Sequence, residues 1–133
     1  MHDLRRLIFA ACIALALALA ACDSAPVKSV KNMFQPSKGE PALSLGVKQY
    51  EDGSYGDAAK NLQLSLDQGL STEEQVRAHK YLAFTYCVTS RERPCRDEFR
   101  KALDLNPGLE LSPAEAGHPL WGPVFRSVKA GRK

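Results

Sequence analysis

Two cysteines eight residues apart, Cys87 and Cys95, and two histidines, His79 and His118, are the side chains in the body of this sequence whose chemistry reaches beyond packing. Structural zinc sites use closely spaced Cys-x2-4-Cys pairs, which Cys87-x7-Cys95 and two isolated histidines do not supply. A nucleophilic cysteine would need an imidazole to activate it. His79 falls instead on a packing position of the repeat described below, and His118 sits between Gly117 and Pro119. The sequence contains no phosphate-cradling loop, nucleophile elbow or paired-carboxylate arrangement. Glu73-Glu74 and Glu51-Asp52 read as helix starts and solvated surface. No catalytic residue, metal or cofactor is therefore assigned. In an exported chain, Cys87 and Cys95 fit a disulfide near the turn of one helical hairpin, with two buried thiols as the alternative. Repeat geometry opposes the bridge. Cys95 should face Ala83, which sets Cys87 one turn, about 5 Å, further along the axis. A bridge requires Cα atoms within about 7 Å, so the turn is expected to be locally distorted.

The third thiol, Cys22, belongs to a different chemistry. Arg5 and Arg6 precede an unbroken apolar run, Leu7 to Ala21, which ends in Leu19-Ala20-Ala21-Cys22. A positive n-region followed by a short h-region is the layout of a secretory signal peptide, and the run is short of the roughly 20 residues a membrane span needs. The tetrapeptide resembles a bacterial lipobox, in which the cysteine thiol takes a diacylglycerol and becomes the new N-terminus. A soluble protein cut just upstream is the alternative. The reading is residues 1–21 as signal peptide, Cys22 as lipidated N-terminus, and the stretch to residue 40, with Pro26, Pro36 and Gly39, as a flexible tether. Asp23 resembles the inner-membrane retention signal of enteric bacteria, which favours that membrane over the outer one. The whole chain, 133 residues with a net charge of +3, supports one modest domain. Its charge is too slight to argue for nucleic acid.

Residues 41–133 contain a repeat. Val76 to Leu109 carries His79-x2-Leu82-Ala83-x2-Tyr86, then Cys95-x3-Phe99, then Pro107. These are the spacings of the 34-residue tetratricopeptide unit. Thirty-seven residues earlier the pattern returns in degenerate form as Ala42-x2-Leu45-Gly46, then Ala58-x3-Leu62. Gly53 and Gly69 should stop the first two helices. Ser71-x-x-Glu74 has the spacing of a capping box that opens the third, and Pro94 should begin the fourth. Ser112-x-x-Glu115 has the same box spacing and marks a helical turn in the loop that follows.

Two repeats leave an apolar flank exposed, because each unit covers its neighbour. Trp121, Val124, Phe125 and Val128 form an i, i+3, i+4, i+7 stripe on a last helix from about Gly122, which should cap the stack. The expected fold is all-α: about two tetratricopeptide-type units plus a C-terminal capping helix. The first helix of each unit then lines the concave face. That places Leu43, Val47 and Tyr50, with Arg77, Lys80 and Phe84, in a groove suited to an extended or helical peptide. The alternative is that the tether or the C-terminal segment covers this groove.

The stretches His79–Cys87, Cys95–Leu103 and Ala116–Phe125, with Gly117-His118-Pro119-Leu120-Trp121-Gly122-Pro123 the most specific, resemble the tetratricopeptide lipoproteins associated with type VI secretion (the TssQ-like family). That resemblance implies a non-enzymatic adaptor in the cell envelope, anchored to the bilayer by its acyl chains and facing the periplasm. Its partner would be a protein of the secretion apparatus. An assembly factor for outer-membrane or pilus components, or a regulatory subunit of an envelope enzyme, would share the architecture.

Overall fold

A computed structural model describes residues 35–132. The predicted signal peptide, Cys22 and most of the tether, including Asp23, lie outside the described residues. Those described form six helices and no strand, so the unit is all-α. The helices are α1 (Glu40–Glu51), α2 (Tyr55–Gln68), α3 (Thr72–Val88), α4 (Glu92–Leu105), the single turn α5 (Pro113–Ala116) and α6 (Gly122–Ala130).

Local chemistry sets most boundaries. Ser71 and Glu74 form a reciprocal capping box at the start of α3, and Ser112 and Glu115 form another at α5. Each box satisfies two orphan N–H groups. Helix α4 starts at Glu92, two residues before the predicted Pro94. The proline is tolerated there because first-turn N–H groups lack intrahelical partners in any case.

Helices α1 and α2 form one hairpin and α3 and α4 a second, and the two connecting turns are built alike. Ser54 N–H donates to Gln49 C=O and Gly53 N–H to Tyr50 C=O; thirty-seven residues on, Arg91 N–H donates to Tyr86 C=O and Ser90 N–H to Cys87 C=O. This is the paired-bond ending that needs a left-handed residue after the helix. Gly53 takes it at φ 79°, while Ser90 takes it at φ 60°, where an L side chain is disfavoured. The Cα atoms of Cys87 and Cys95 stand 5.3 Å apart across this second turn.

Within the hairpins small residues permit close approach. A Cβ on Gly46 would lie 2.8 Å from Leu62 Cγ, and Ala83 and Cys95 are fully buried at the equivalent crossing. One apolar cluster gathers Leu43, Val47, Leu62, Ala78 and Leu82. A second joins Phe84, Phe99 and Leu103 to Leu111, Trp121, Phe125 and Val128. Trp121, Phe125 and Val128 are buried and Val124 is partly buried, so the C-terminal stripe packs on one side.

Two expectations change. Leu45, read as a repeat packing position, is 46% exposed, and Leu43, Gly46 and Val47 do its work. The expected tether boundary at residue 40 also shifts, since the compact unit begins at Pro36. Gly39 N–H donates to Gly69 C=O, and Ser71 N–H donates to Ser37 Oγ, so this stretch is stitched onto the α2–α3 turn.

Candidate functional site

The predicted groove is largely filled by the chain's own C-terminal segment. Lys80 of α3 reaches Glu115 of α5 at 2.6 Å. Glu115 also accepts from Ser112 N–H, and its carbonyl accepts from Trp121 Nε1–H at 2.9 Å. That latch lays the indole on Phe84, with ring centroids 4.6 Å apart and planes 26° off parallel, and brings it edge-on to Tyr50 at 6.4 Å. His118 stacks on the outer face of Trp121. Gly122 is required at the joint, because a Cβ there would lie 2.3 Å from Ala116 O. The groove residues are corrected accordingly. Leu43 and Val47 are core between α1, α2 and α3, Phe84 is core beneath the indole, and Lys80 is spent on the latch. Tyr50 is half-buried and Arg77 is exposed. The physical reason is that a concave apolar strip, once an indole can reach it, loses more water by folding onto its own chain than by staying open.

What the latch leaves outside is an aromatic surface shared by three helices. Tyr50 packs on Tyr55 at 5.7 Å and edge-on against Tyr81 at 5.4 Å, and all three are half-buried. Burial, followed by the neighbouring phenols and Glu115, pushes the Tyr50 hydroxyl up to about 12. Burial also raises Tyr81, against the nearby Arg77 charge. Both phenols are therefore neutral and able to donate hydrogen bonds in any ordinary medium. Their bodies offer apolar area, and the adjacent Arg77 offers a cation. Tyr55 and Tyr81 escaped the sequence reading because they stand off the repeat's packing positions. Their signal was aromatic clustering across helices, which appears only when α1 and α3 are placed side by side.

A second assembly also went unread. Glu98, buried on α4, takes His79 Nδ1 at 2.6 Å and Lys101 Nζ at 2.6 Å. Burial pushes its carboxyl up, but the hydrogen bonds from His79 and Lys101 outweigh that and hold it below the ordinary 4.5. A lowered carboxyl contributes stability that is present above the unfolded value and is lost as pH falls below it. The fold should therefore weaken as pH drops beneath about 4.5. Glu98→Gln should cost about 1–3 kcal/mol at neutral pH and flatten that acid limb. Chemical denaturation across a pH series measures both, and an unaltered acid limb in the variant would contradict the assignment.

Among the described residues no group of three or more His, Cys, Asp or Glu is placed to hold a metal ion. No family model, curated protein or solved structure matches this chain.

Proposed function

We propose that the chain is a lipid-anchored adaptor of the bacterial envelope that binds a protein partner, and that it serves a type VI secretion apparatus. The observation that carries the adaptor reading is the tyrosine surface. Tyr50, Tyr55 and Tyr81 sit half-exposed beside Arg77 on a rigid aromatic stack, and such a surface suits a peptide read by pockets and charge. Tyrosine binds at low entropic cost because only two torsions must be fixed. The secretion system comes from the resemblance of the Gly117–Pro123 segment. A two-unit tetratricopeptide arrangement is part of the proposal. Its support is the 37-residue equivalence of Gly46 with Ala83, of Ala58 with Cys95 and of Gly53 with Ser90, together with close packing of α1 on α3 as well as of each hairpin on itself.

A photo-crosslinking amino acid at Tyr81, in cells bearing the anchored protein, tests the function. The expected result is a covalent adduct with an apparatus component, absent when the same group replaces the exposed Lys60. Identical adducts from both positions would remove the partner surface.

The Cys87–Cys95 bridge belongs to the same reading, since an exported chain meets an oxidising compartment. In the Cys22→Ser form, thiol trapping without reductant should find both cysteines blocked. Closing so short a loop contributes about 2.5 kcal/mol on the chain-entropy estimate. Two reactive thiols would overturn the bridge.

A further inference from the structure

The two members of the cysteine pair are buried to different depths. Cys95, near the start of α4, is 0% exposed and lies in the core cluster with Ala83, Phe84 and Phe99. Cys87, in the last turn of α3, is only half-buried and lines an open cleft of about 610 Å³ between the α3–α4 turn and α6. That is the size of a small-molecule site. Leu120, 51% exposed, and Val124 give the cleft an apolar wall. Its two charged residues, Glu92 and Arg96, are paired with each other at 3.1 Å, and Arg96 also donates to Ser127 Oγ at 3.3 Å. Access to the pair is therefore governed by space, and the space opens on Cys87.

Exchange between thiols and disulfides depends on which sulfur an attacking group can reach. An approach to Cys95 would first require Ala83, Phe84 and Phe99 to move apart. An approach to Cys87 requires no such opening.

We infer that Cys87 is the site at which this chain exchanges with small thiols and disulfides, with Cys95 as the sulfur that closes or leaves the bridge. The inference rests on the Cys87–Cys95 bridge proposed above. On oxidation, the Cys87 thiolate attacks one sulfur of a small disulfide, whose other sulfur departs as a thiolate. Cys87 then carries the mixed disulfide in the cleft. Cys95, its Cα 5.3 Å from that of Cys87, loses its proton and attacks Cys87 Sγ. The mixed bond breaks, the second small thiolate leaves, and the bridge is complete. Two electrons pass from the cysteine pair to the small disulfide, and the two thiol protons end on the thiolates released. Reduction by a small thiol runs the same steps backwards, entering at Cys87 and releasing Cys95.

The full-length chain, purified from membranes in non-ionic detergent, tests this with glutathione disulfide as the probe. Cys87→Ser and Cys95→Ser each leave one member of the pair, and peptide mass spectrometry reads glutathione at each cysteine separately. Cys87 in the Cys95→Ser chain should take glutathione at least about 100-fold faster than Cys95 in the Cys87→Ser chain, because a buried thiol reacts only when the fold opens. In guanidinium chloride the two rates should converge, since the fold sets the difference. Equal rates in variants that keep the parent's helical circular dichroism would overturn the inference. If a serine variant does not fold, the parent carries the test. Treated with reduced glutathione and quenched in acid, it should hold glutathione on Cys87, and an adduct on Cys95 instead would be equally fatal. Free thiols in the untreated parent would remove the bridge and this site with it, whereas equal rates with the bridge intact would remove the site alone.

Discussion

Trp121→Ala should lower the stability of the folded unit by about 3–5 kcal/mol, the cost of emptying a large aromatic site in a core. For a domain of this size that corresponds to a fall of about 15–30 °C in the melting midpoint. The indole is only 7% exposed, and its loss unstacks Phe84 and removes the donor to Glu115 C=O. It also uncovers the strip that Lys80 and Glu115 hold shut, so the effect extends beyond one cavity. Trp121→Phe keeps the stack and loses only the hydrogen bond, and it should therefore fall well short of the alanine effect. Thermal melts followed by circular dichroism measure both. An unchanged curve for the alanine variant would mean that the C-terminal segment is dispensable to the fold.

Cys22→Ser should abolish palmitate labelling and release the chain from the membrane fraction. Each buried methylene of an acyl chain contributes about 0.8 kcal/mol, and stable anchoring takes more than one chain. Losing the acceptor thiol therefore removes the attachment completely. Among the described residues no helix is long and apolar enough to cross a membrane, so none of them offers a substitute span. Labelling that persists in the serine variant would end the lipoprotein reading.

These two experiments probe opposite ends of the chain, and the sequence spoke differently about each. Helix boundaries were legible because they are settled by neighbours within a few residues. Ser71 with Glu74, Ser112 with Glu115, and the left-handed Gly53 and Gly69 all act locally. The small-residue crossings at Gly46, Ala83 and Cys95 were legible for a related reason: spacing within a hairpin fixes which side chains meet. The candidate lipidation motif at Cys22 also needs only adjacent residues to be read.

Periodicity identifies an apolar face but not the element that covers it. Phe84 and Lys80 were assigned to a groove, yet both are taken up by residues 35 or more positions away. Leu45 fitted the repeat but points outward, since among the described residues no unit precedes the first hairpin to bury it. The His79–Glu98–Lys101 assembly joins two helices across nineteen residues, and its carboxyl is depressed only because that packing brings the donors to it. Short-range hydrogen bonding thus determined the helices and turns from sequence alone. Which faces close on each other, and which tyrosines stay at the surface, was decided by long-range competition for apolar area, and a one-dimensional pattern does not encode that competition.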